Sequence, residues 1–271
     1  MRIQPLLLTM AACCLPVAIA ATHSRPEPRH VVDPAPASVS AAAASARLPL
    51  PERLRQLAPD LDRGVLALAL EARSCAVRNG EWGDDSRLAV IDYSQPSTRP
   101  RLWVFDVAHD RLLFREHVAH GQGSGENVPT RFSNRHSSHA TSLGLFRTAE
   151  TYTGGNGYSL RMDGLDPGFN DNARARAIVM HGADYVNPQA AASRGRLGRS
   201  HGCPAVRRQV AKVVIDALKQ RQLVFAYAND ADWLRSARSF ACDGRSARQI
   251  LAAARGDALP AGGAMVAIAA P

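Results

Sequence analysis

Two stretches, Ile178-Val179-Met180-His181-Gly182 and Arg199-Ser200-His201-Gly202-Cys203-Pro204, decide how this chain reads. Residues 177–180 are short, apolar and partly β-branched, which predicts a buried strand delivering His181 at its end. Val206, Val210, Val213, Val214, Ala217 and Leu218 recur at helical spacing, so a helix is expected directly after the cysteine. Pro204 suits its first position, where a missing N–H costs nothing. Cys203 then falls at the N-cap, where free N–H groups and the helix dipole would lower the thiol pKa. Gly202 lets a substrate backbone approach closely. A histidine at a strand end and a cysteine at a helix start can meet as base and nucleophile.

With these residues in place the sequence resembles a known family. His181-Gly182, an intervening loop and Ser200-His201-Gly202-Cys203 resemble the signature of the L,D-transpeptidase (YkuD) catalytic domain. Val118-Ala119-His120-Gly121, Arg131-Phe132-Ser133-Asn134, Ser142-Leu143-Gly144, Ser159-Leu160-Arg161 and Gly198-Arg199-Ser200 resemble its murein branch. The likeness covers roughly residues 85–235.

The resemblance implies a β-sandwich-like catalytic domain whose substrate is a peptidoglycan stem tetrapeptide. Cys203 is implied as the nucleophile that forms a thioester and releases D-alanine. His181 is implied as the base. Gly182 stands where some relatives carry Ser or Thr, so a backbone carbonyl is expected to hold the imidazole. The N–H groups of His201, Gly202 and Cys203 are the expected oxyanion donors. Ser200 and His201 would shape the pocket, and Arg199 could meet a substrate carboxylate. For His120, His136 and His139, a place on the pocket rim or the plain surface is favoured over catalysis, with His139 the first to test. The acceptor is open: a second stem gives a cross-link, an amine on a wall-anchored protein gives anchoring, and water gives an L,D-carboxypeptidase. Carbapenems are expected to acylate the thiol. No cofactor or metal is expected.

Other chemistries fit the same residues less well. Gly198-Arg199-Ser200-His201-Gly202 satisfies the serine-hydrolase elbow G-x-S-x-G. That elbow needs an apolar strand before Ser200, and Arg194, Gly195 and Arg196 stand there instead. It also needs a distant later histidine, yet the only one after Ser200 is its neighbour His201. His181, His201 and Cys203 could hold zinc, but no His-x-x-x-His or Cys-x-x-Cys supports it. A non-catalytic wall-binding module would not need the complete His181 and Cys203 pair.

The ends of the 271-residue chain point outward from the cytoplasm. Residues 1–20 read as a signal peptide: Arg2, an apolar run, then Ala18-Ile19-Ala20 as the cleavage site. A lipoprotein reading at Cys13 is weaker, since Met10 is a poor lipobox opener. The mature protein is expected to be exported to the periplasm or cell wall, with no transmembrane segment. A formal charge of +9 suits an anionic partner such as the wall, and nucleic acid is disfavoured. Beyond the signal, Cys75, Cys203 and Cys242 are an odd number in an oxidising compartment, which leaves at least one free thiol. Cys75 reads as a buried core residue, a Cys75–Cys242 bridge is open, and Cys203 is the natural free thiol.

Residues 21–50, rich in Ala, Pro and Ser, are expected to be a disordered linker. Residues 51–80 should form a helical appendage, with Leu54, Leu57, Leu61, Val65 and Leu68 on one side. Residues 81–240 carry the β-dominated α+β domain. Its expected elements are strands at 88–93, 102–107 and 112–118, a hairpin around 154–157, a helix at 204–219 and a strand at 223–227. Residues 241–271 read as an Ala- and Gly-rich tail.

Overall fold

Consecutive strands lie at opposite edges of one sheet, and this shapes the fold. The computed structural model describes residues 48–81, 86–240 and 242–257. Among these, nine strands form a single ladder: β1 (Arg87–Asp92), β2 (Leu102–Asp106), β3 (Arg111–Glu116), β4 (Val118–Ala119), β5 (Gly144–Gly154), β6 (Gly157–Gly164), β7 (Val179–Ala183), β8 (Ala205–Arg207) and β9 (Leu223–Tyr227). They run in the order β3-β2-β1-β9-β5-β6-β7-β8-β4. Only His117 separates β3 from β4 in the chain, so the sheet must curl until its edges meet, as a near-barrel. Arg207 clasps this seam with Nε and Nη2 on the two Glu116 carboxylate oxygens, at 2.9 and 2.6 Å. Buried Arg101 donates from Nε and Nη2 to the Val118 carbonyl, at 3.1 and 3.0 Å. The α+β, β-dominated fold expected from the sequence is the fold observed.

Helices α1 (Leu50–Leu57), α2 (Arg63–Arg78), α3 (Pro188–Arg194), α4 (Arg208–Leu218), α5 (Ala231–Ser236) and α6 (Ala247–Arg255) complete the described residues. The Asp62 carboxylate caps α2 by accepting from Val65 N at 3.0 Å. Leu54, Leu61, Val65, Leu68 and Ala72 are fully buried in the same core as Leu88, Trp103 and Phe225. The N-terminal helices thus pack against the sheet as a wall of the main core.

The tail expected over 241–271 is corrected at 247–255, which form α6. Ala is the best helix former, and Ala247, Ile250 and Leu251 bury one face. Ser246 and Gln249 supply a capping box. A Cβ at Gly64 would lie 2.7 Å from Leu251 Cδ2, so α2 and α6 cross closely. Cys75 pairs with Cys242 across a Cα separation of 5.7 Å and ties α2 to the segment entering α6. The pairing that the sequence left open is therefore made, and Cys203 is the free cysteine among the described residues. The expected signal peptide, the linker up to residue 47 and residues 258–271 lie outside the described residues. No described helix is long and apolar enough to cross a membrane.

Two expected elements shift near the cysteine. The helix foreseen from Pro204 starts at Arg208, because residues 205–207 are β8. Val206 mimics a helical position, yet it pairs with Gly182 on one side and Val118 on the other. Two ladder partners outweigh a helix start. The strand foreseen at 177–180 runs over Val179–Ala183, so His181 sits mid-strand, between Ser159 and Ala205.

Candidate active site

Cys203 closes the loop that enters β8, and its side chain is almost fully buried. Its Sγ accepts from Val179 N at 3.5 Å and donates to the Ala177 carbonyl at 3.7 Å. Ala177 has φ +54°, a left-handed conformation that ends the turn before β7. The cysteine is therefore not at a helix N-cap, and the expected lowering of its pKa is overturned. Burial pushes the thiol up, against the opposing pull of Val179 N–H and the Arg176 charge.

His181 is buried on the neighbouring strand, and parallel register sets it opposite Ala205, two residues beyond Cys203. Its Nδ1 lies 3.1 Å from the carbonyl of Gly182. A carbonyl only accepts, so Nδ1 carries the proton and Nε2 is the basic nitrogen. Burial holds the imidazole pKa below its usual value. The pair therefore rests as thiol and neutral imidazole. The backbone carbonyl expected to orient the imidazole is that of Gly182 itself. A Cβ there would lie 2.7 Å from Ala211 Cβ on α4, which leaves no room for the Ser or Thr of some relatives.

Ser200 and Gly202 shape the loop. Ser200 Oγ donates to the Cys203 carbonyl at 2.7 Å and accepts from Gly202 N at 3.1 Å. Ser200 N donates to the His120 carbonyl at 3.0 Å. The hydroxyl hydrogen is committed, and the preceding residues are α3 and its Gly195 cap rather than a strand. No nucleophile elbow exists. The Gly202 N–H foreseen as an oxyanion donor is occupied by Ser200, which corrects that role. Gly202 matters instead for its φ of +119°, with Ala140 O 2.8 Å from where a Cβ would be.

Residues 57–227, well over half of the chain, match the family described as the L,D-transpeptidase catalytic domain. This chain belongs to that family. Among solved structures it is similar to the L,D-transpeptidase from Mycobacterium smegmatis, with 15% identity and a TM-score of 0.33, covering 53% of this chain and 59% of that one. It is similar also to LD transpeptidase LdtMt1, solved in complex with imipenem, with 16% identity, the same coverage and a TM-score of 0.31. For the L,D-transpeptidase (Yku) from Stackebrandtia nassauensis the values are 13% identity, 66% and 77% coverage and a TM-score of 0.32. The chain spans about three-fifths of the first two structures' length. Comparison with curated proteins gave no match.

In this L,D-transpeptidase domain the outer residues divide. His139 and His201 stack with ring centroids 4.2 Å apart and planes 10° from parallel, and Gln122 Nε2 lies 3.0 Å from His139 Nδ1. The two rings stand beside the loop that carries Cys203. Arg199 does not face an open pocket. Its Nη1 donates to the Gly125 carbonyl at 2.7 Å and to Glu126 at 2.8 Å. His120 is buried, accepting at Nδ1 from Arg101 at 2.8 Å with Nε2 3.3 Å from Gly125 O. Burial and the Arg101 charge push its pKa down to about 3, so it is neutral scaffolding. His136 is exposed. No three His, Cys, Asp or Glu side chains converge as metal ligands would among the described residues.

Sequence reasoning missed Arg176. It lies immediately before the strand expected at 177–180, and only the chain's return at Ala177 brings it beside Gly202. Its sole sequence signal is a cation abutting an apolar strand.

Proposed function

We propose that this chain is an exported peptidoglycan L,D-transpeptidase that acts on stem tetrapeptides through a Cys203 thioester. The observation that carries this reading is a buried free thiol next to a strand whose His181 has its Nδ1 fixed and its Nε2 basic. Family membership supports acyl transfer, the Cys75–Cys242 bridge supports an oxidising compartment, and the N-terminal sequence supports export.

His181 Nε2 takes the Cys203 proton as Sγ attacks the carbonyl carbon of the stem's third residue. With Gly202 N–H committed to Ser200, the N–H groups of His201 and Cys203 receive the oxyanion. The tetrahedral species collapses, the C–N bond to D-alanine breaks, and the leaving amine takes the proton from His181. An acceptor amine from a second stem then gives its proton to His181 and attacks the thioester, restoring the thiol.

The test is purified protein with defined muropeptide tetrapeptides, with products read by mass spectrometry. Release of D-alanine with formation of a cross-linked dimer is expected. Tripeptide without dimer would make the enzyme an L,D-carboxypeptidase, and a wall-protein conjugate would make it an anchoring enzyme. No turnover by folded, reduced protein would overturn the reading. The oxyanion donors cannot tell a stem carbonyl from a strained β-lactam carbonyl. A carbapenem adduct on Cys203, absent in Cys203→Ser, is therefore expected on the intact protein.

A further inference from the structure

Arg176 holds a cation in the wall of the site with no anion to balance it. The side chain is half-buried and forms no ion pair among the described residues. Its Nη1 donates to the Ser133 carbonyl at 2.7 Å and to Ser142 Oγ at 2.5 Å. Its Nη2 donates to Ser138 Oγ at 3.1 Å and to the Ala140 carbonyl at 2.7 Å. The four hydrogens of the two terminal nitrogens are thus taken by neutral oxygens. The guanidinium is fixed in place but not neutralised, and it is poorly free to grip a substrate carboxylate directly.

Its position explains what such a charge is for. Nη2 lies 3.4 Å from where a Gly202 Cβ would be, and the next residue, Ala177, offers its carbonyl to Cys203 Sγ. Other titratable groups lie on neighbouring elements: Tyr93 after β1 and Tyr185 after β7 interact electrostatically with the thiol, and His181 stands on β7, opposite Ala205. Burial raises both tyrosine pKa values far above the usual phenol range and lowers that of His181, so these three rest neutral. Arg176 is the charged side chain that acts on the sulfur. A half-buried cation without a counter-ion is costly, unless an anion forms beside it during the reaction.

We propose that Arg176 is a positioning residue for acyl transfer: its guanidinium, held by four neutral oxygens, balances the anion that forms at Cys203 when the thiol loses its proton. In that step the S–H bond breaks, an N–H bond forms at His181 Nε2, and the electron pair stays on sulfur beside Arg176. The inference rests on Cys203 being the nucleophile of the proposed function. It replaces the helix dipole that the sequence had suggested with a side-chain charge.

The experiment follows the rate of Cys203 alkylation by iodoacetamide against pH in the whole protein, beside turnover of a stem tetrapeptide. Removing an opposite charge at close range moves a pKa by at least about one unit. Arg176→Gln should therefore slow alkylation about tenfold at pH 7.5 and shift the profile upward by about one pH unit. Arg176→Lys keeps the charge and should keep the profile within about 0.3 pH unit. Ser138→Ala removes one anchor without touching the charge and should leave the profile unmoved. A folded Arg176→Gln protein with the wild-type profile would overturn the proposal. So would Arg176→Lys or Ser138→Ala shifting as far as Arg176→Gln is expected to, since hydrogen bonding would then be the cause. If Arg176→Gln does not fold, those two variants decide. A shifted alkylation profile without wild-type stem turnover would sink the substrate assignment and leave this inference standing. Stem turnover with an unmoved profile would do the reverse.

Discussion

Gly182→Ala tests the contact that places His181. The backbone there is not at positive φ, so an added methyl meets only steric resistance. Its Cβ would lie 2.7 Å from Ala211 Cβ and 3.2 Å from Arg208 Cα, both on α4. Overpacking of this kind costs about 1–3 kcal/mol. The lost glycine returns about 0.5 kcal/mol through the unfolded state. The expected net cost is about 1–2 kcal/mol, with β7 pushed away from α4. Because the Gly182 carbonyl holds His181 Nδ1, alkylation of Cys203 and stem turnover should fall as well. Ala211→Gly removes the opposing methyl and costs about 1 kcal/mol in helix propensity. Independent effects would then sum to about 2–3 kcal/mol. If the methyl–methyl contact is the cause, the double variant should be no less stable than Gly182→Ala, and alkylation should recover. Urea unfolding followed by tryptophan fluorescence supplies the stabilities. Additivity of the two costs within about 0.5 kcal/mol would refute the packing argument.

Three further outcomes are expected. Cys203→Ala should abolish D-alanine release, whereas joint replacement of Cys75 and Cys242 by Ala should keep turnover and lower stability by about 2–4 kcal/mol, measured by denaturation. For kcat/KM against pH, His181 must be neutral to act as base, and burial holds its pKa below 6.5. The acid limb should accordingly lie below pH 6.5, and a limb at or above 7 would reassign the base. His120 titrates at about 3 in the fold against 6.5 in the unfolded chain, so unfolding takes up a proton between those values. Stability from this group is complete above pH 6.5 and is lost at about 1.4 kcal/mol per pH unit as pH falls toward 3. His120→Asn should lose that part of the slope in acid unfolding curves.

Local patterns survive folding when the interactions that fix them are local. The short apolar runs at 88–93, 102–107 and 223–227 marked β1, β2 and β9 to within a residue, because strands buried on both faces are near-continuous apolar stretches that the sequence states directly. The ordered Cys203 and His181 motifs likewise pointed to the family, since motif order is a property of the chain alone. Val206 misled because an isolated apolar residue fits a helix or a strand equally. Only the flanking strands β7 and β4, distant in sequence, make it β8. The thiol's pKa was misjudged for the same reason, since local sequence suggested a helix dipole whereas burial in the folded site raises it. Arg199 looked like the substrate cation because it adjoins the motif, yet it is pinned to Gly125 and Glu126. Arg176, remote in sequence from the cysteine stretch, is the cation that lies beside Gly202. The Cys75–Cys242 bridge and the docking of α6 on α2 also join residues far apart in the chain. The sequence by itself determined the family to which the chain belongs and where most strands begin. The tertiary structure decided which charges and carbonyls surround that chemistry, because those neighbours are brought together by packing and by strand register, which no short stretch of sequence encodes.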